Sequence, residues 1–153
     1  MKRLAAILAC ALTFACSSGG AANGKKTPAP EVRLFQLTGP AEQNYPTGAF
    51  EVQIGVRIIN HSDTPMTLRQ IALEPFGEGG IYRVTNNRYF FTQQVGAQSF
   101  SDMTFWARAY ATGNSYSIDA QAPVSIRATA HFDSANGPLR RTVTANFNAR
   151  DGR

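Results

Sequence analysis

Residues 50–58 read FEVQIGVRI, and the architecture of the chain turns on them. Phe50, Val52, Ile54, Val56 and Ile58 alternate with Glu51, Gln53, Gly55 and Arg57. A period of two describes a strand with one buried face, because successive side chains of an extended backbone point to opposite sides. Each of the five apolar side chains stabilises by about 1.5–3 kcal/mol when fully buried. A slip of one residue would turn Glu51 and Arg57 into the core, so the register is strongly specified.

Working outward, the same pattern recurs at short spacing. Val32–Leu37 precedes this strand and Met66–Leu73 follows it, after a turn at 60–65 rich in Asn, Ser, Asp and Pro. Ile81–Thr85 and Arg88–Thr92 flank Asn86-Asn87, a pair that tolerates the left-handed backbone of a tight hairpin, and the sequence predicts one there. Residues 77–80, Gly-Glu-Gly-Gly, read as a hairpin connection. Val124, Ile126, Ala128, Ala130 and Phe132 alternate with polar residues. After a turn at 133–138 containing Asn136-Gly137, the chain returns as Leu139, Val143, Ala145 and Phe147, predicting a C-terminal hairpin. The segment 100–110 has two readings. Met103, Phe105, Ala107 and Ala109 alternate as a strand, while Met103, Trp106, Ala107 and Tyr110 would line one helix face. The β neighbours on both sides and the turn residues Gly113-Asn114 favour the strand. About seven strands with few helix signals predict an all-β, immunoglobulin-like sandwich over residues 31–150, with 151–153 as a tail.

Val52-Gln53-Ile54-Gly55-Val56-Arg57-Ile58-Ile59-Asn60, then Met66-Thr67-Leu68 and Ile71-Ala72-Leu73, together resemble the water-stress domains of late-embryogenesis-abundant type. That family usually has proline after the asparagine, where this chain has His61. The resemblance covers about a quarter of the chain, and implies an immunoglobulin-like sandwich and a stress-linked setting without catalytic residues.

The N-terminus carries a different signal. Lys2 and Arg3 precede an uncharged run from Leu4 to Ala15. Twelve residues fall short of the about 20 that span a bilayer as a helix, so residues 1–15 read as a signal peptide. FACSSGG, residues 14–20, ends the run on Cys16 and resembles a bacterial lipoprotein signal, which implies lipidation of Cys16 as the new N-terminus. The three preceding residues, Thr13, Phe14 and Ala15, stand where such signals usually carry Leu, a small residue, then Gly or Ala. An ordinary secretory signal cut after Ala15 or Ala22 is the other reading. Cys10 lies within the run as apolar filler. Residues 16–30 then form the lipid-bearing cysteine and a Gly/Ser-rich tether stiffened by Thr27-Pro28-Ala29-Pro30. Because Ser17 rather than Asp follows Cys16, the resemblance implies the outer membrane.

Both cysteines lie in or beside the signal, so the domain holds itself together by burial rather than disulfides. Without Lys2 and Arg3 the balance is 13 basic against 10 acidic residues, and no basic stripe or nucleic-acid motif accompanies it. Lys25 and Lys26 in the tether suit an anionic membrane surface better, at about 1 kcal/mol each.

Candidates for chemistry are few. His61 falls in a turn. His131 lies on a polar strand face within reach of Asn146 or Arg140. With no thiol in the domain, these two cannot assemble a usual structural zinc site. There is no Gly-x-Ser-x-Gly elbow, and the loop at 77–80 lacks the lysine a phosphate would meet. Glu74 and Glu78 read as solvated acids. The aromatics are the more informative group: Tyr82, Tyr89, Phe91, Trp106, Tyr110 and Tyr116 mingle with Arg83, Arg88 and Arg108. With Met103 and Phe105 inward, the alternation turns Trp106, Arg108 and Tyr110 outward, a combination used for protein recognition or sugar stacking. The competing reading packs these rings at the margins of the core.

The expectation is therefore a non-enzymatic envelope lipoprotein without cofactor or metal. Its partners would be the membrane, through lipid on Cys16, and an envelope protein or glycan at Trp106, Arg108 and Tyr110. The alternative is a soluble secreted or periplasmic sandwich that inhibits or escorts a client.

Overall fold

A computed structural model of the chain describes residues 28–39, 48–77, 80–111 and 123–147. The expected signal peptide, Cys16, most of the expected tether, Glu78, the turn expected at Gly113-Asn114, Tyr116 and the tail lie outside these residues. The strands are β1 (Glu31–Thr38), β2 (Ala49–Asn60), β3 (Met66–Pro75), β4 (Tyr82–Val84), β5 (Asn87–Val95), β6 (Ser99–Ala111), β7 (Val124–Ser134) and β8 (Gly137–Phe147). They form two antiparallel four-stranded sheets. Sheet A has the order β1-β2-β6-β4, and sheet B the order β5-β3-β7-β8. The all-β sandwich expected from the alternation is present. Its strands β1-β2-β6 facing β3-β7-β8 follow the A-B-E against C-F-G order of immunoglobulin-like domains, with β4 and β5 as added edges. The count is eight rather than about seven.

The decisive stretch lies in β2, where Val52, Ile54, Val56 and Ile58 are completely buried. Phe50, nearer the strand's start, is only half-buried and meets the buried Tyr82 ring edge-on at 5.6 Å. Segment 100–110 is a strand, pairing along β2 from Ala49↔Tyr110 to Asn60↔Ser99. Phe105, Ala107 and Ala109 point into the core. In β3 the buried positions are Met66, Leu68, Ile71 and Leu73. The three-residue step from Leu68 to Ile71 coincides with a bulge at Arg69 against β7, while against β5 the extra residue falls on β5, where Phe91 and Thr92 stand opposite Arg69.

Two turn expectations are corrected. Asn86-Asn87 does not close a hairpin, because β4 pairs with β6 in sheet A and β5 with β3 in sheet B. Residue 87 begins β5, and its Oδ1 accepts a hydrogen bond from the Arg88 amide. The chain thus crosses between sheets where local sequence suggested a fold-back. The connection around Gly77 and Gly80 likewise crosses from β3 to β4. Both glycines hold positive φ, at 83° and 89°, as a sharp change of direction needs. The C-terminal hairpin is as expected, β7 pairing with β8 from Val124↔Phe147 to Ser134↔Gly137.

One end of the sandwich is stitched by side chains. Asn60, buried at the end of β2, donates through Nδ2 to the carbonyls of Thr64 (2.9 Å) and Gly96 (2.8 Å). It accepts at Oδ1 from the amide and hydroxyl of Ser62 (2.9 and 2.7 Å). Gln98, at φ 48°, donates its amide to the Ser62 carbonyl and its Nε2 to the His61 carbonyl. A non-glycine residue in that region is held only where its surroundings over-determine it, and here the 60–65 and 96–98 turns do so jointly.

Candidate binding face

The outer face of sheet A is built by the polar phase of β1, β2 and β6. Because inward residues of β6 fill the core, their neighbours Thr104, Trp106, Arg108 and Tyr110 must point out. Trp106 is 52% exposed, Tyr110 43%, and Arg108 is exposed. The three candidate residues therefore share one surface. At about 3.4 Å per residue, Trp106 to Tyr110 covers roughly 14 Å of strand. Across the sheet, Gln53 lies beside Trp106, Glu51 beside Arg108, and Arg83 of β4 beside Tyr110. Arg83 is half-buried there, and its Nε has no hydrogen-bond partner among the described residues.

The face has members that the sequence reading passed over. Phe35, in β1, lies opposite Gly55 of β2 and is 40% exposed. A Cβ placed on Gly55 would come within 2.2 Å of the Phe35 ring, so the ring rests on the bare glycine backbone. Gly55 is thus the position where sheet A needs a residue without a side chain. Farther along, Arg57 holds Asp102 with two hydrogen bonds, 2.7 and 2.6 Å, and its guanidinium lies 5.4 Å from the centre of the exposed Phe100 ring. The Arg57 hydrogen bonds hold the Asp102 carboxyl below its usual range. Glu31 is lowered in the same way, first by its hydrogen bond from Arg33, with a smaller contribution from His61 at 3.7 Å. Strand phase could have flagged both rings, since Phe35 alternates with Leu34 and Phe100 shares the phase of Asp102 and Trp106.

Other aromatics turn out to be core or margin. Tyr82 is fully buried and donates its hydroxyl to Gln36 Oε1, and burial pushes that phenol's pKa well up. Tyr89 and Phe91 pack on Phe105 at 4.7 and 5.6 Å between ring centres. The reading of marginal packing thus holds for these rings but not for Trp106 and Tyr110.

The chemistry candidates are scattered. His131 sits on sheet B between Gln70 and Arg140, while Asn146 instead accepts from Ser125 at 2.8 Å. Glu74 is exposed opposite Arg127. Among the described residues no three His, Cys, Asp or Glu side chains gather as metal ligands. A depression of about 240 Å³ lies between Arg57, His61, Gln98 and Phe100 at the stitched end. It is smaller than the roughly 300–1,000 Å³ of ordinary ligand pockets, and adjoins the outer face of sheet A as a dip.

No family model matches the chain, and no curated protein does. The resemblance to water-stress domains therefore rests on its own residues. Among solved structures, one structural-genomics target determined by X-ray crystallography aligns at a TM-score of 0.50 and 11% identity, covering 79% of this chain and 86% of that one. A crystal structure from Bordetella pertussis bearing the name ApaA aligns at 0.50 and 18% identity, covering 78% of this chain and 94% of that one. At such identities the likeness is one of fold.

Proposed function

We propose that this chain is a non-enzymatic binding module of the cell envelope, anchored by lipid on Cys16 and recognising an envelope protein or a glycan through the outer face of sheet A. The single observation that carries the recognition is the exposed row Trp106, Arg108 and Tyr110, on a strand whose opposite phase is core. Leaving such rings in water costs about 25 cal/mol per Å² of apolar surface, a cost offset when a partner covers them. Trp, Tyr and Arg are also the residues that most often dominate binding energy. Exposed rings on an open sheet face suit a protein surface or a sugar ring stacked on an aromatic plane.

Geometry supports an anchored module. The tether joins β1 at Glu31, which pairs with Ile59, itself beside Phe100 of β6. Tyr110 lies ten residues farther along β6, about 34 Å away. With lipid at Cys16 in the outer membrane, the tether leaves from one end of the sandwich and the Tyr110 end faces outward.

Two experiments test the two halves separately. Mass spectrometry of the mature N-terminus, with and without globomycin, is expected to show a diacylated Cys16 and precursor accumulation. A free terminus after Ala15 or Ala22 would replace the anchored reading by a soluble escort or inhibitor. For recognition, Trp106→Ala is expected to lose the partner captured from solubilised envelopes while changing unfolding free energy by no more than about 0.5 kcal/mol. Capture unchanged by Trp106→Ala and Tyr110→Ala would refute this face as the binding surface.

A further inference from the structure

β7 and β8 are joined by only two residues, Ala135 and Asn136, both exposed, and Gly137 opens β8 at φ 106°. A Cβ on Gly137 would meet nothing within 4 Å, so it is the backbone angle, rather than crowding, that asks for glycine there. The tip is held by one hydroxyl: Ser134 Oγ accepts from the Asn136 amide at 3.3 Å and donates to the Gly137 carbonyl at 2.7 Å. Ser134↔Gly137 is also the last pair of the β7–β8 ladder. The end of a ladder opens at a far lower free energy than its middle. Of the asparagines among the described residues, at positions 60, 86, 87, 136 and 146, only Asn136 is followed by glycine. Asn60 shows the contrast, being buried with its amide engaged by Ser62, Thr64 and Gly96.

We propose that Asn136-Gly137 is a self-modification site, at which the folded chain converts the asparagine to aspartate and isoaspartate with water as the only co-reactant. When the ladder end opens, the Gly137 amide nitrogen attacks Asn136 Cγ. The new N–Cγ bond closes a five-membered imide, the Cγ–Nδ2 bond breaks, and Nδ2 leaves as ammonia with the proton that the Gly137 nitrogen gives up. Glycine exposes that nitrogen, since it carries no Cβ to shield it. Water then adds to either imide carbonyl. Breaking the bond from nitrogen to Cγ restores the main chain beside an aspartate. Breaking the bond from nitrogen to the main-chain carbonyl carbon leaves isoaspartate, with the chain rerouted through the former side chain and one methylene longer. Both outcomes put a carboxylate where the neutral amide stood, close in the chain to Asp133, which holds Arg69 at 2.6 Å. The isoaspartate also displaces the atoms that Ser134 bridges. The tip thus ages from a neutral, closed turn to a charged, looser one, on sheet B and apart from the Trp106 face of sheet A.

The test is tryptic peptide mapping of the folded full chain during prolonged incubation in mildly alkaline buffer, with free peptide 128–140 incubated alongside. Peptide 128–140 carries Asn136 and is separate from the one carrying Asn23-Gly24. It is expected to yield two products of equal mass, heavier than the parent by the exchange of an amide for an acid, with isoaspartate in excess. Ser134→Ala removes both bonds at the tip and is expected to speed the conversion about two- to tenfold, the rate equivalent of a single net hydrogen bond. Gly55→Ala, which destabilises the other sheet, is expected to leave the rate unchanged, because only the ladder end has to open. Amide hydrogen exchange of the parent chain, expected to be faster at 137 and 139 than at 126–132, keeps the test valid should Ser134→Ala fail to fold. Peptide 128–140 unchanged in the folded chain while the free peptide converts would overturn the proposal. So would a rate indifferent to Ser134→Ala, a rate raised by Gly55→Ala, or exchange at 137 and 139 as slow as at 126–132.

Discussion

Asn60 offers the sharpest test of how the sandwich end is held. Its amide makes four short hydrogen bonds, two donated to the Thr64 and Gly96 carbonyls and two accepted from Ser62. At a net 0.5–1.5 kcal/mol each, Asn60→Ala is expected to cost roughly 2–6 kcal/mol, the lower figure applying if water reaches the turns. That is a large fraction of a total stability of about 5–15 kcal/mol. Asn60→Asp separates the two halves of the network. The carboxylate keeps the bonds from Ser62 but aims negative charge at two carbonyls, so the folded state prefers it protonated and its folded pKa rises above the unfolded value. The native variant then binds more protons than the unfolded chain. Its stability is greatest below about pH 4 and falls as pH rises toward the raised folded pKa. Urea unfolding at intervals from pH 3.5 to 7, with the denaturant slope held constant, reads both effects. An Asn60→Ala cost under about 0.5 kcal/mol, or an Asn60→Asp curve parallel to that of the parent chain, would refute the argument.

Three further outcomes follow from particular contacts. Gly55→Ala forces the Phe35 ring aside and is expected to cost about 1–3 kcal/mol. In the Phe35→Ala background that penalty should vanish, giving a coupling of at least about 1 kcal/mol in a double-mutant cycle, and additivity would rule the close contact out. Tyr82→Phe leaves the Gln36 amide, whose Nε2 already lacks a partner among the described residues, buried with neither atom paired to them. It is expected to cost about 1–3 kcal/mol, much of it recovered in a chemical-denaturation comparison by adding Gln36→Leu. Asp102 has its folded pKa depressed by Arg57, so its contribution is complete above the usual carboxylate pKa near 3.8 and disappears as pH falls through the lower folded value. Asp102→Asn should therefore flatten the acid limb of the stability profile below about pH 4, measured by urea midpoints.

What could be read from the sequence was whatever depended on phase. Alternation gave β2, β6 and the β7–β8 hairpin, and with them the outward direction of Trp106, Arg108 and Tyr110, because a strand with a full inner face leaves its other residues no choice. The β3 bulge was also written there, in the three-residue step from Leu68 to Ile71, but went unread. Partner choice was not written locally. Asn86-Asn87 announces a change of direction without saying whether the chain returns beside itself or crosses to the other sheet. Three-residue β4 is too short for any period. Asn60 looked like a turn residue because its burial depends on residues at 62, 64 and 96 that only the assembled end brings together.

The neighbouring positions of β1 and β8 tie the first strand of the domain to the last. Nearly every pairing in the molecule is between distant parts of the chain, a topology that folds over milliseconds to seconds rather than microseconds. A chain delivered from its N-terminus therefore cannot close this flank until Phe147 has arrived. A nascent chain stopped after Ser134 would leave β7 without its β8 partner and the flank beside β1 open, a sticky, half-built shell.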